Sequence, residues 1–196
     1  MSEAKPLGAV LAGGRSLRFG SDKALALLAG RPLLAHVVEA LLPQCAEVVV
    51  VGRSWPGLRS VADWPGPGLG PLGGLCGALR GARQLGHPSV LAAPCDMPGL
   101  PADLVEKLAP APAVAEGHWT VGLWPAALAS SLEAWLAASR PRALRAFAEA
   151  VGARAVPIEG LRNVNRPDDL PDDLSDVANG SPQVPGQRHD ADTQLR

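Results

Sequence analysis

Residues 6–23 read "PLGAVLAGGRSLRFGSDK". An apolar run ends there at two adjacent glycines, and the segment that follows carries three cations. The apolar run predicts a first strand that is covered on both faces, as in a parallel sheet. Bare glycine backbone followed by Arg15, Arg18 and Lys23 suits a polyphosphate, because N–H groups approach an anion closely there and fixed charges hold it. Neither GxxxxGK[ST] nor GxGxxG is matched. A surface turn with scattered cations is the alternative interpretation.

Strands and helices alternate along the rest of the chain. Near-continuous apolar runs at 46–52 and 88–96 predict two more buried strands. Residues 153–160 predict an edge strand, since Pro157 excludes a central place. Residues 111–125 form either one strand or two strands about a turn at Glu116 and Gly117. Apolar residues at helical spacing predict helices over 31–44, 70–86, 101–109, 125–139 and 142–152.

This order of elements predicts an α/β fold, a three-layer sandwich around a mostly parallel, Rossmann-like sheet. One domain is expected over residues 1–178, ending in a short acidic helix that begins within 166–177. Residues 179–196 carry no apolar anchors and are predicted to form a disordered tail.

The composition of the chain bears on its binding partners and on the cellular compartment in which it works. The net charge of −1 over 196 residues favours neither nucleic acid nor an anionic membrane surface. No apolar run reaches the roughly 20 residues that span a bilayer, and the N-terminus is typical of a strand and not of a signal peptide. The three cysteines show no zinc spacing and are expected to be free thiols. We therefore expect a cytoplasmic protein.

Three further stretches carry polar groups suited to chemistry. Asp96 ends the third apolar strand, where the ligand crevice of such sheets lies, and a carboxylate facing a triphosphate suits Mg²⁺. A helix cap or turn is the alternative. The glycines of residues 66–74 suit a flat ring or a mobile lid, or only a flexible loop. Asn163 and Asn165 project the same way if extended and hold a metal or phosphate oxygen, or cap a helix.

Taken together, these stretches resemble the molybdenum cofactor guanylyltransferases, the MobA family within the nucleotidyltransferase superfamily. The family pattern LAGGxSxRxGxDK stands here at 11–23, GPLxG at 70–74, CDxP at 95–98 and NxNxP at 163–167. All four motifs occur in the family's order. The resemblance implies a fold of the nucleotide-diphospho-sugar transferase type. It implies transfer of GMP from GTP to molybdenum-molybdopterin, with release of pyrophosphate.

The resemblance also implies roles for individual residues. Arg18 and Lys23 would hold the triphosphate, with Asp96 as the Mg²⁺ ligand, and these three are the expected catalytic residues. Asn163 and Asn165 would lie beside the metal and the acceptor phosphate. The nucleotide would be bound by Leu11, Ala12, Gly13, Gly14, Lys23, Asp63 and Asp96. Other proteins of molybdenum cofactor biosynthesis, or the apo-enzyme that takes up the cofactor, are the protein partners that the resemblance leaves open.

One position departs from the family pattern. Val51 stands where the family carries an asparagine for the base, so either backbone contacts replace that side chain or base selection is altered. By resemblance to the family pattern, the motifs "LAGG" and "GPLGG" imply a preference for guanine. Cytidylyl transfer to molybdopterin, or nucleotidyl transfer to another phosphorylated acceptor, is the alternative activity. A non-catalytic binding module is a third reading, which Lys23 and Asp96 oppose.

Overall fold

The computed structural model describes residues 4–13, 22–138 and 140–164. Nine strands occur in this part of the chain: β1 (Leu7–Leu11), β2 (Leu27–Leu28), β3 (Arg31–Pro32), β4 (Glu47–Val51), β5 (Arg59–Val61), β6 (Ser89–Pro94), β7 (Ala113–Ala115), β8 (His118–Pro125) and β9 (Arg154–Val156). Seven of them form one sheet in the order β5-β4-β1-β6-β8-β7-β9. Strands β2 and β3 form a separate antiparallel ribbon.

Helices cover both faces of the sheet. The α-helices of the described residues are α1 (Leu33–Leu41), α2 (Gly70–Leu85), α3 (Leu104–Leu108), α4 (Ala129–Ala137) and α5 (Leu144–Ala150). Two short 3₁₀ helices lie at Lys23–Leu25 and Ala126–Leu128. Buried side chains of α1 and α3 share one core cluster, and those of α2, α4 and α5 share another. The predicted three-layer α/β sandwich is therefore confirmed.

Strand β1 shows how the two cores are built. Val10 belongs to the core beneath α1, whereas its neighbour Ala9 belongs to the core beneath α2. Successive side chains of a strand point to opposite faces, so a strand covered on both faces must be apolar at every position. This explains the unbroken apolar runs of the sequence.

Strands β4, β1 and β6 are parallel and end together. Leu11 is paired with Val51 on one side and with Pro94 on the other. Two backbone hydrogen bonds continue the ladder beyond the strands, from Ala12 N to Val51 O at 2.9 Å and from Cys95 N to Leu11 O at 3.1 Å. The carboxyl ends of the three central strands thus form one edge, where ligands of such sheets bind.

Residues 111–125 were predicted to form either one strand or two strands about a turn, and the structure shows two. They form two strands, β7 and β8, which pair antiparallel about a turn where Gly117 has a φ of 76°. Strand β8 is also antiparallel to β6, and β9 lies at the sheet edge as predicted. Strand β5 was not predicted, because its exposed Arg59 and Ser60 break any apolar run.

The C-terminal predictions lie outside the described residues. They are the acidic helix within 166–177, the end of the domain at 178 and the tail at 179–196, which stay predictions. In the described part of the chain, no helix is both long and apolar enough to cross a membrane.

Candidate functional site

A cleft of about 280 Å³ opens at the carboxyl ends of β1, β4 and β6. Seven of the residues predicted to bind substrate or metal line it: Leu11, Ala12, Gly13, Lys23, Asp63, Asp96 and Asn163. The structure therefore brings together predicted residues from three of the four motifs, with Asp63 beside them. The predicted site residues Gly14, Arg18 and Asn165 lie outside the described residues.

Lys23 and Asp96 form an ion pair inside this cleft. Lys23 begins the first 3₁₀ helix, and Asp96 lies two residues beyond the end of β6. The Lys23 Nζ atom is 2.6 Å from Asp96 Oδ2, and the two side chains are 15% and 18% exposed. A charge-assisted contact of this length between partly buried groups is a strong one. The residue predicted to hold phosphate thus neutralises the residue predicted to hold the metal.

The neighbouring Asp22 is held by a second cation that the sequence reasoning missed. Asp22 Oδ1 accepts a hydrogen bond from Ala24 N at 3.2 Å and so caps the 3₁₀ helix. Arg53 donates to both carboxylate oxygens of Asp22, one bond being 3.0 Å long. The Arg53 hydrogen bond lowers the pKa of Asp22, and Asp22 in turn raises the pKa of Arg53. The pair joins residues that are 31 positions apart in the sequence.

Two glycines allow the floor of the cleft to form. Gly52, just past β4, has a φ of 83°, and a Cβ there would lie 2.4 Å from the Cα of Gly13. A Cβ on Gly13 would lie 2.9 Å from Asp63 Oδ2. Any side chain at either position would therefore collide with the neighbouring backbone or carboxylate. Gly13, the first of the two adjacent glycines in the opening motif, is needed for this close approach.

Asp63 is half-buried behind these glycines. Within residues 4–13, 22–138 and 140–164, no hydrogen bond to its side chain is found. Burial raises the pKa of Asp63, because loss of water disfavours the charged form. The Asp63 carboxylate lines the cleft, where it can accept hydrogen bonds from a ligand.

The glycine-rich stretch is more ordered than the predicted lid. Gly70 begins α2 with a φ of 63°, and the glycines that follow it lie inside that helix. Gly73 O accepts a hydrogen bond from Trp64 N at 3.0 Å. At Gly77 a Cβ would come within 2.1 Å of Ala62 O. These glycines therefore let α2 pack closely on the chain that follows β5, while Gly70 and Pro71 line the cleft.

The end of the described chain completes the cleft. Val164 N donates a hydrogen bond to Asp96 O at 3.0 Å, which places Asn163 beside the metal-ligand candidate. Thr120 of β8 and Cys95 also line the cleft and were not predicted. Burial raises the pKa of Cys95 to about 11, so its thiol is protonated at neutral pH and is a poor nucleophile. Thr120 ends the stretch "GHWT" at 117–120, and the polar residues after Gly117 are its only signal in the sequence.

The donor set suits a metal that is shared with a substrate. Among the described residues, no group of three or more His, Cys, Asp and Glu side chains could hold a metal ion. Asp96 offers a carboxylate and Asn163 an amide oxygen at one end of the cleft. Mg²⁺ is commonly held by one or two carboxylates together with substrate phosphates. The residues present therefore fit a divalent ion that arrives with a triphosphate.

Comparison with known proteins assigns the family. The family model described as "MobA-like NTP transferase domain" matches residues 8–155. The chain belongs to this family. The MobA-like chain is 38% identical over 190 residues to a molybdenum cofactor guanylyltransferase of Sinorhizobium fredii, covering 82% of this chain and 87% of that one. It is 39% identical over 178 residues to the enzyme of that name from Rhodobacter capsulatus, covering 83% and 92%.

Solved structures share the architecture of this MobA-like chain. The molybdopterin-guanine dinucleotide biosynthesis protein A of Archaeoglobus fulgidus superposes with a TM-score of 0.66 at 23% identity, covering 87% of this chain and 97% of that one. The 2-C-methyl-D-erythritol 4-phosphate cytidylyltransferase of Thermus thermophilus gives 0.58 at 19% identity, covering 89% and 98%. The resemblance, the fold and the class of enzyme, a nucleotidyltransferase, are thereby confirmed. Membership of this family is consistent with a need for a divalent metal.

Proposed function

We propose that the protein transfers GMP from GTP to molybdenum-molybdopterin, forming the guanine dinucleotide of the cofactor and releasing pyrophosphate. The observation that carries the proposal is the Lys23–Asp96 pair in the cleft at the strand ends. This pair brings a cation suited to phosphate beside a carboxylate suited to a metal, and the relatives of the chain are named molybdenum cofactor guanylyltransferases. Those names agree with the activity that the sequence resemblance implied.

Lys23 and the main chain at Ala12 and Gly13 are assigned to the triphosphate. Transfer at the α-phosphorus depends on positioning and charge stabilisation more than on covalent chemistry. The Lys23 ammonium would neutralise charge that develops toward the pyrophosphate leaving group. Arg18 is assigned to the same phosphates on the family motif alone.

Asp96 is assigned as the ligand of Mg²⁺, with Asn163 and Asn165 beside it. When bound with the triphosphate, Mg²⁺ would supply charge neutralisation on the phosphate oxygens. Lys23 contacts Oδ2 of Asp96, so the other carboxylate oxygen would be available to the metal. Binding of Mg²⁺ and triphosphate would weaken this ion pair, because both charges would then be shared with the ligand.

No general base is assigned in this site. The acceptor is a phosphate, which is already ionised and can attack directly. The protonated Cys95 thiol is unsuited to that role, since its pKa is about 11. The protein's contribution is therefore to bind the two substrates, orient them and hold their charge.

Guanine recognition is assigned to Asp63 and the backbone at Leu11. The Asp63 carboxylate can accept from the N1–H and 2-amino donors of guanine, whereas cytosine presents a single amino donor beside acceptors. Val51 lines the cleft but its side chain offers no hydrogen bond. A carboxylate acceptor at this place favours guanine despite that substitution.

Cytidylyl transfer to molybdopterin is the second candidate activity, because Val51 removes the base-contacting asparagine of the family pattern. We also propose a cytoplasmic location and contacts with other proteins of molybdenum cofactor biosynthesis or with the recipient apo-enzyme. These two proposals rest on the family resemblance.

Pyrophosphate release tests the activity. Wild-type protein is incubated with Mg²⁺, molybdenum-molybdopterin and GTP, CTP or ATP in parallel. We expect release with GTP alone, its loss in Asp96→Ala, and normal release in Asp103→Ala, which removes an exposed carboxylate paired with Lys107 on α3. Turnover with CTP alone would select the second candidate. Undiminished Mg²⁺-dependent turnover by Asp96→Ala would overturn the metal assignment.

A further inference from the structure

Two consecutive residues tie one short helix across the mouth of the cleft. Asp22 is paired with Arg53, which follows β4, and Lys23 is paired with Asp96, which follows β6. The helix Lys23–Leu25 is thus anchored to the ends of strands on either side of β1. Lys23, Asp96 and Asp22 line the cleft, whereas Arg53 contacts Asp22 from outside it.

The backbone directs Arg53 to this place. Gly52 takes a left-handed conformation with a φ of 83° and passes close to Gly13. The next residue therefore leaves β4 toward the 3₁₀ helix instead of continuing the strand. The Arg53 side chain is 24% exposed and meets Asp22 through two guanidinium nitrogens. Such bidentate contacts fix orientation as well as charge.

We infer that Arg53 is a positioning residue for the phosphate-holding Lys23, acting through the carboxylate of Asp22. The inference rests on the proposed function, in which Lys23 binds the triphosphate. Arg53 is absent from the residues that line the cleft, so its effect on substrate is indirect.

The need for this anchor appears when substrate binds. The Lys23–Asp96 contact is then weakened, and it restrains the helix Lys23–Leu25 less. The Arg53–Asp22 pair and the Asp22 cap on Ala24 N hold the start of this helix without using the Lys23 ammonium. Holding the lysine backbone in place lets the ammonium turn toward phosphate while its main chain stays fixed. Misplacement of a binding group by about 1 Å can cost about 100-fold in rate.

A double-mutant cycle tests the inference. We expect Arg53→Ala to lower kcat/KM for GTP about 10- to 100-fold and to weaken Mg²⁺–GTP binding in calorimetry. Arg53→Lys keeps the positive charge but cannot make the bidentate contact, so it should lose less activity than Arg53→Ala. In a Lys23→Ala background, Arg53→Ala should have about threefold effect or less, because interacting residues are not additive. Asp22→Asn should behave like Arg53→Ala.

A matched control separates positioning from stability. Arg31→Ala removes an exposed arginine–glutamate pair with Glu39 and should leave kinetics and binding unchanged. The Asp22 carboxylate is partly exposed and its ion pair with Arg53 contributes little to stability, so Arg53→Ala should melt within about 4 °C of wild type.

The outcomes distinguish the two proposals. Full additivity with Lys23→Ala, or wild-type kinetics of Arg53→Ala, would overturn the inference while leaving the proposed function intact. If wild-type protein turns over CTP and not GTP, the guanylyl assignment fails and the same cycle with CTP decides the role of Arg53. If wild-type protein binds no triphosphate at all, both proposals are wrong.

Discussion

The ammonium group of Lys23 lies 2.6 Å from a carboxylate oxygen of Asp96, although 73 residues separate the two in the sequence. The contact shows that the glycine motif and the "CDMP" motif meet in one cleft. It also means that each group is held ready by the other in the absence of ligand. Each of the two partly buried charges is therefore compensated by the other.

Lys23→Ala should lower kcat/KM for GTP about 100- to 1,000-fold, the range seen when one group that stabilises transition-state charge is removed. Steady-state pyrophosphate release would measure the loss. Lys107→Ala, which breaks an exposed pair with Asp103, is the control and should keep wild-type rates. A Lys23→Ala enzyme within about twofold of wild type would remove this lysine from the site.

Gly77→Ala should destabilise the fold by about 1–3 kcal/mol, because its Cβ would lie 2.1 Å from the backbone oxygen of Ala62. Urea unfolding would measure the change. Gly81→Ala, one turn further along α2, is the matched control. There a Cβ would meet only the Val61 side chain at 3.5 Å, so helix propensity should stabilise the protein by about 0.5–1 kcal/mol. Equal effects at both positions would contradict the packing described for α2.

Asp63→Asn should raise stability at neutral pH while weakening GTP binding. Burial lifts the pKa of Asp63 above its ordinary 3.8, so the ionised carboxyl opposes folding once the pH passes the raised pKa. The unfavourable contribution of ionised Asp63 to the free energy of folding vanishes below the ordinary pKa of the carboxyl group. The stability advantage of the variant should therefore grow as the pH rises from about 3 to about 7, as measured by urea unfolding across that range.

Asp103→Asn supplies a control of opposite sign. Lys107 lowers the pKa of Asp103, so ionised Asp103 stabilises the fold at neutral pH and loses that effect as the pH falls through the lowered pKa. Asp103→Asn should therefore be less stable than wild type at neutral pH and equally stable at acidic pH. A pH-independent difference for Asp63→Asn would show that desolvation of its charge does not act as described.

The parts of the site that follow from strands could be predicted from the sequence. Leu11 and Asp96 lie at the ends of unbroken apolar runs, and parallel strands must bring such ends to one edge. The Arg53–Asp22 pair could not be predicted, since it depends on how Gly52 turns the chain in three dimensions. Gly77 was equally ambiguous, because a glycine needed for close helix packing is indistinguishable in sequence from one needed in a loop.

The main-chain floor at Gly13 and Gly52 affects how readily related enzymes can change the nucleotide that they use. Backbone amides recognise the shape and charge of a phosphate chain, and they are indifferent to which base is attached. Base choice is left to a few side chains of the cleft, among them Asp63 and Val51. The same division of labour would let one ancestral scaffold diversify into enzymes for different nucleotides through small numbers of substitutions.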